Sequence, residues 1–176
     1  MPSSQPVLVV AMGVSATGKT AVGERLAERL GVDFLEGDSL HPEANIEKMS
    51  SGIPLTDDDR WPWLRAIADL IAEHRRRGRS MVVTCSALRR SYRDMLRSGA
   101  PDEDLFFLHL HAPFDVLEKR MAHRTKHFMP TSLLQSQFDT LEPLDDDELG
   151  AEVDVSPPLD EVVDEAEAAI RAHYEH

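Results

Sequence analysis

The stretch VLVVAMGVSATGKTAVGERLAERLG, Val7 to Gly31, decides the reading of this chain. Val7 to Met12 is an uninterrupted apolar run, too short for a buried helix and suited to a strand covered on both faces. Thr20 to Leu30 has helical spacing and is closed by Gly31. Between them lies Gly13-Val14-Ser15-Ala16-Thr17-Gly18-Lys19-Thr20, which fits G-x-x-x-x-G-K-[ST]. Glycines at these positions let successive N–H groups turn toward phosphate oxygens, and the helix that follows adds its positive dipole end. In such a loop Lys19 is a mobile charge for the β- and γ-phosphates, and the Thr20 hydroxyl is a Mg²⁺ ligand. The bland alternative is a strand–helix turn with an incidental lysine. The match falls in the strand–loop–helix context that the chemistry needs, so the expected cofactors are ATP and Mg²⁺.

Working outward, apolar runs alternate with helical patterns. Short strands are expected at Val32 to Leu35, Met81 to Cys85, Leu105 to Leu110 and, weakly, Val153 to Val155. Helices are expected over Trp61 to Arg77, Leu88 to Arg97 and Pro113 to Arg124, and along a final stripe of Leu159, Val162, Val163, Ala166 and Ile170. Strand–helix alternation predicts an α/β domain of three layers, α/β/α, around a parallel sheet of about five strands. The 176 residues read as a single domain, 1–176. Two stretches fall outside the alternation: 39–60 after the second strand, and a region over 121–144. Ligands of open α/β sheets sit beyond the carboxyl ends of the strands. The first stretch is therefore expected to bind an acceptor and the second to form a lid.

The net charge of −13 argues against binding nucleic acid or an anionic membrane. The longest apolar run is far too short to cross a bilayer, and the start, MPSSQP, lacks the basic and apolar regions of a secretory signal. A single cysteine, Cys85, excludes an internal disulfide and fits a reducing compartment, so the cytoplasm is expected. Cys85 itself reads as a small hydrophobe. Arginines and lysines gather at Arg75 to Arg79, Arg89 to Arg97 and Lys119 to Lys126. Each cluster alone reads as a solvated helix face; three in an acidic chain suggest that at least one handles a small anion. The histidines and acids form no zinc or EF-hand pattern.

A phosphate loop specifies a nucleoside triphosphate and leaves the reaction open. The Asn-Lys-x-Asp of a switch GTPase is missing, and the third strand ends Thr84-Cys85-Ser86 rather than on the acid of a motor ATPase. A small-molecule kinase can do without that acid, because Mg²⁺ keeps waters and substrate phosphates as ligands. Its acceptor hydroxyl needs a carboxylate to orient it and take its proton. Asp38 in GDSLHP, Gly37 to Pro42, ends the second strand beside the phosphate loop and is the best-placed acid; its alternative role is an N-cap. His41 reads as a polyol contact or as a polar turn residue.

Together GVSATGKT, GDSLHP, NIEKMSSGIPLTDDDRWPWL, CSALRRSYRDMLR and HFMPTSLLQSQFDTLEPL resemble the bacterial gluconate kinases (gluconokinases), over Val7 to Tyr174 and in the same order. One departure is Ala16, where the family commonly has Gly, which reduces backbone freedom there. The resemblance implies transfer of phosphate from ATP to the terminal hydroxyl of D-gluconate, giving 6-phosphogluconate. It also implies a fold akin to nucleotide and shikimate kinases, and a homodimer. A row of hydroxyls ending in a carboxylate needs a cation at one end, and Arg60, at the head of a helix, suits a bidentate grip. Lys48, Arg89 and Arg93 are secondary candidates; for each arginine the alternative is a surface ion pair. Arg124 is expected over the transferring phosphate, Arg120 nearer the adenine, with Lys126 competing for the former role. His127 and Gln137 either touch substrate or pack the lid. Trp61, Trp63 and Phe128 read as packing rather than stacking platforms. The competing functions are a related kinase for another small acid or a nucleoside monophosphate, and an ATP-binding regulatory module without turnover.

Overall fold

The strands expected from the apolar runs assemble into one parallel sheet. A computed structural model describes residues 5–100, 104–122 and 131–174. The strands are β1 (Leu8–Met12), β2 (Asp33–Glu36), β3 (Met81–Thr84), β4 (Leu105–His111) and β5 (Gly150–Asp154), in the order β2-β3-β1-β4-β5. Val10 of β1 lies between Val83 of β3 and Phe107 of β4, and every residue of β1 is buried. That double burial explains why its sequence is apolar throughout rather than alternating. The helices are α1 (Lys19–Leu30), α2 (Glu43–Ser50), α3 (Asp57–Arg76), α4 (Arg90–Arg97), α5 (Phe114–Ala122), α6 (Thr131–Thr140) and α7 (Leu159–Tyr174). A 3-10 turn covers Gly37–Leu40. Helix α1 packs with α7, and α3 with α4, giving the expected three-layer α/β/α arrangement.

Several boundaries differ from expectation, for local reasons. Helix α3 begins at Asp57, ahead of its apolar stripe, because Thr56 caps it. The Thr56 hydroxyl accepts from the Asp59 N–H and the Asp59 carboxylate accepts from the Thr56 N–H. This capping box also puts Asp57, Asp58 and Asp59 in the first turn, where the helix dipole favours acids. Helix α6 was not legible in its polar sequence; burial of Leu134 and the contact of Phe138 with Phe114, ring centroids 5.2 Å apart, hold it in place. Asp38 does not cap a helix: it sits within the 3-10 turn, and α2 starts only after Pro42. Among the described residues no helix is long and apolar enough to cross a membrane.

The basic clusters are largely matched by acids of the same chain. Arg75 pairs with Asp104, Arg76 and Arg77 with Glu73, and Arg79 with Asp33. Arg90 of α4 meets Asp145 and Asp147. On the same helix Arg93 and Arg97 converge on the buried Glu148. Arg25 and Arg29 of α1 reach Asp160, Asp164 and Glu167 of α7. Exposed pairs of this kind contribute about 0–1 kcal/mol each.

The Arg93–Glu148–Arg97 group is different because it is buried: the Arg93 and Glu148 side chains are fully covered and Arg97 nearly so. Burial alone would raise the Glu148 carboxyl, but hydrogen bonds from Arg93, the Asp145 N–H and Arg97 outweigh it and bring it down to about 2. Glu148→Ala would leave two arginines without their shared partner. It is expected to lower the unfolding free energy by about 3–5 kcal/mol, read by urea denaturation at pH 7. The folded pKa lies below the unfolded one, so the stabilisation should be complete above the ordinary carboxylate range and fade as pH falls toward about 2. A loss under about 1 kcal/mol would show that the triad contributes no more than a surface pair.

Candidate active site

The phosphate loop occupies the turn from β1 to α1. Gly13 has φ 147°, and a Cβ there would stand 2.4 Å from the Leu110 carbonyl oxygen, so only glycine fits between the loop and β4. The Gly13 N–H donates to the Ser86 carbonyl, 3.2 Å, tying the loop to the end of β3. Thr17 is buried and its hydroxyl donates to the Val14 carbonyl, 2.9 Å. The Lys19 ammonium lies over the loop and donates to the Gly13 and Val14 carbonyls at 3.1 and 3.2 Å. Ser15, Ala16, Gly18, Lys19 and Thr20 line an open cleft above the start of α1. A polyphosphate laid there would meet N–H groups, an ammonium and a helix N-terminus together.

A carboxylate that the sequence reading missed completes this cleft. The Thr20 hydroxyl donates to Glu36 at the end of β2, and the Thr84 hydroxyl, at the end of β3, donates to the other oxygen of the same group. The third strand does end without an acid, but its neighbour supplies one. Both Thr20 and Glu36 are oxygen ligands of the kind a hard divalent cation takes, directly or through water. The signal was present as an acid at a strand end two residues before Asp38; what was missing was the strand order.

Immediately after Glu36 the chain turns. Gly37 is wedged under β3, where a Cβ would stand 1.7 Å from the Thr84 carbonyl oxygen. Its N–H donates to the Thr84 hydroxyl, 3.0 Å, and its carbonyl accepts from the indole N–H of Trp63, 2.8 Å. Asp38 follows, with its side chain 64% exposed. It lines the phosphate-loop cleft and also a second one, shared with Ser15, Lys19, His41, Arg60 and Gln137. Met49, Ile53, Pro54 and Leu55 form an apolar wall of that second cleft.

His41 is not a plain turn residue. It is buried, stacked on Trp63 with ring centroids 3.9 Å apart and planes 18° from parallel. Burial lowers its pKa; Asp38 opposes that shift and Arg60 adds to it, so the ring is neutral at pH 7. Trp63 is therefore both core packing and a stacking platform, which the sequence reading had set against each other. Arg60, in the first turn of α3, faces the same cleft. Its guanidinium donates to the Tyr92 hydroxyl, 2.9 Å, and lies 3.7 Å from Asp57, while Tyr92 donates to Asp57.

The other candidate cations stand elsewhere. Lys48 pairs with Asp59, 2.7 Å, bracing α2 against the cap of α3, and does not line the second cleft. Arg93 is fully buried; it donates to Glu148 and to the Ala87 and Pro143 carbonyls, so it has no access to a ligand. Arg89 is exposed at the N-cap of α4. Arg120 donates to the Val155 carbonyl just beyond β5 and lines neither cleft. Gln137 of α6 does reach the site, where its side-chain oxygen accepts from the Ser15 N–H, 2.7 Å. Arg124, Lys126, His127 and Phe128 lie outside the described residues.

Comparison with known proteins gives a consistent result. A family model described as an AAA domain matches residues 8–144. The thermoresistant gluconokinase of Escherichia coli is 47% identical, with 89% of each chain covered. The gluconokinase of Gluconobacter oxydans is 52% identical over 82% of this chain and 80% of its own. The crystal structure of a gluconokinase from Sinorhizobium meliloti 1021 superposes with a TM-score of 0.89 at 53% identity, covering 97% of this chain and 95% of that one.

One residue of the phosphate loop carries backbone strain. Ala16 has φ 70°, in the left-handed region that costs an L side chain about 1–2 kcal/mol. Ala16→Gly relieves that strain and partly offsets the gain by loosening the unfolded chain. The expected result is a rise in stability of about 0.5–1 kcal/mol, measured by thermal unfolding without nucleotide. A variant less stable than the parent would mean that the methyl group's packing outweighs the strain.

Proposed function

Because the chain belongs to the gluconokinase family, we propose that it transfers the γ-phosphoryl group of ATP to the terminal hydroxyl of D-gluconate, giving 6-phosphogluconate and ADP. The observation that carries this reading is that two clefts share Lys19 and Asp38. One is floored by the phosphate loop, the other walled by the segment between β2 and α3. A phosphoryl donor in the first and a hydroxyl in the second would meet at these two side chains.

Their chemistry suits the transfer. Asp38, exposed and directed into both clefts, takes the hydroxyl proton as the acceptor oxygen bonds to the γ-phosphorus and the bond to the β–γ bridging oxygen breaks. Lys19, now over loop carbonyls, turns to the phosphates and follows the charge that develops there. Thr20 and Glu36 are the groups that would hold Mg²⁺ or its waters. Magnesium, when bound, neutralises the phosphate oxygens that the transfer loads with charge. Within the loop Gly13 to Thr20, the amides beyond Gly13, whose own N–H is held by Ser86, cradle the phosphates.

On the acceptor side Arg60 takes the gluconate carboxylate, preset by Tyr92 and Asp57. Gln137 addresses the hydroxyls, His41 lines the same cleft beside Asp38, and the apolar wall takes the C–H face of the carbon chain. Lys48 acts on this region only through Asp59, which it pairs with at the cap of α3. Arg124 and His127 are assigned to the lid over the transferring phosphate, on sequence grounds. The working unit is a single kinase domain with its acceptor-binding insertion over 39–60 and lid over 121–144, acting as a homodimer in the cytoplasm. Cys85 is compatible with that compartment, since burial pushes its thiol up to about 12 and leaves it unreactive.

The direct test couples ADP release from Mg-ATP to an indicator reaction, with gluconate, other sugar acids, shikimate and nucleoside monophosphates as acceptors. Selective turnover of gluconate is the expected result. Selective turnover of another acceptor would reassign the second cleft, and ATP binding with no turnover of any would leave a regulatory module. Asp38→Asn is expected to lower kcat by about 10²–10⁴-fold with ATP affinity nearly intact; unchanged turnover would remove Asp38 from the reaction. Arg60→Ala should raise the KM for gluconate roughly tenfold or more while leaving that for ATP alone, and an unaltered KM would move the carboxylate contact elsewhere.

A further inference from the structure

Asn45 is the most deeply buried polar residue of α2, and it lies on neither cleft lining. Its side-chain nitrogen stands 2.8 Å from the Asp59 carbonyl oxygen and 3.2 Å from Nδ1 of His41. A carbonyl oxygen only accepts, so the group facing Asp59 has to be the NH₂ end of the carboxamide. Reversing the amide would put two acceptors against each other. The same nitrogen then offers its second hydrogen to His41, and Nδ1 of a neutral ring must accept it. We propose that Asn45 is a positioning residue that fixes the tautomer of His41, so that an Nε2–H rather than a lone pair faces Asp38. This inference rests on the kinase reading for its consequence in turnover, and on the structure alone for the tautomer.

The surroundings of the ring hold it in this assignment. Trp63 stacks on one face of the imidazole, and Trp63 is itself anchored to the Gly37 carbonyl, 2.8 Å. The Asp59 carbonyl that orients Asn45 belongs to the first turn of α3, clamped by the Thr56 capping box and by Lys48. The charged groups facing the ring are Asp38 from its own turn and Arg60 from α3, which act in opposite directions on its protonation. Nε2 lies 4.0 Å from an Asp38 carboxylate oxygen, beyond hydrogen-bond range without ligand. Such contacts tighten when substrate is seated. An Nε2–H then donates to one oxygen of Asp38 and leaves the other for the acceptor proton. The opposite tautomer would set a lone pair against the carboxylate and push it out of line.

The test reads the tautomer directly. Two-bond proton–nitrogen correlation spectra of protein labelled with ¹⁵N-histidine, with His41→Gln identifying the resonance, should show the wild-type ring protonated on Nε2 and bare on Nδ1 at pH 7. Asn45→Asp replaces the donor with an acceptor of the same shape. It should move the proton from Nε2 to Nδ1, where the new carboxylate accepts it. In the same variant kcat for gluconate should fall about tenfold, the scale on which an outer partner of a functional histidine acts. The KM for ATP should stay unchanged. Asn45→Ala, which removes both bonds, should let the two tautomers mix.

A wild-type ring protonated on Nδ1 would overturn the proposal, and this reading is taken on the protein with Asn45 unaltered. So would an Asn45→Asp protein whose tautomer and kcat match the parent. Absence of gluconate turnover together with an Nε2–H ring would remove the proposed reaction and still support the tautomer assignment. Turnover with an Nδ1–H ring would keep the reaction and remove Asn45's part in it.

Discussion

The site depends on how closely the end of β2 is pressed against the end of β3. At Gly37 the backbone comes so near Thr84 that a single added carbon would overlap the Thr84 carbonyl oxygen, 1.7 Å away. The Thr84 hydroxyl serves both sides of the contact: it accepts from the Gly37 N–H and donates to Glu36. One residue thereby decides where the chain leaves the sheet and which way the Glu36 carboxylate points, toward the Thr20 hydroxyl in the phosphate loop. Asp38 emerges one residue later, at the boundary between the two clefts. Displacing this junction would separate the acid from the lysine even if every secondary structure element survived.

Charge in this protein is arranged by depth rather than by count. A net −13 masks a chain whose basic clusters on α3 and α4 are mostly consumed by internal acids. The exposed pairs shape solubility more than stability, because water screens them. The Arg93–Glu148–Arg97 group ties α4 to the segment before β5, and in its buried setting removing one partner costs far more than the pair contributes net. Arg60 stands apart from both classes. Tyr92 and Asp57 hold it at the edge of the second cleft, part-buried, where a guanidinium keeps donors for an incoming carboxylate.

Much of the fold was legible because it is written in short-range patterns. The run Val7 to Met12, the G-x-x-x-x-G-K-T spacing and the apolar stripes of α3 and α7 each lie within a few turns of chain, and the resulting strand–helix alternation leaves little topological choice. Local chemistry also hid some boundaries: the cap of α3 precedes its apolar stripe, and α6 is held by Leu134 and Phe138 rather than by any strong period of its own. Arginines were the least legible residues. Arg60, Arg89, Arg93 and Arg120 look alike in sequence, and only their neighbours make one a cleft residue, one an exposed cap, one a buried strut and one a tie to the Val155 carbonyl.

By itself the sequence determined what the backbone must do near each residue: where a strand stops, where N–H groups converge, where an acid follows a strand. Those outcomes rest on φ and ψ preferences and on side-chain period, which act over a few residues. Only the tertiary structure decided which distant groups share a site. Glu36 meets Thr20 across 16 positions and Thr84 across 48, His41 lies on Trp63, and Gln137 reaches Ser15 from 122 positions away. Such meetings depend on strand order and helix packing, and these are set by burying apolar faces together, a contest among all segments at once that no single stretch of sequence records.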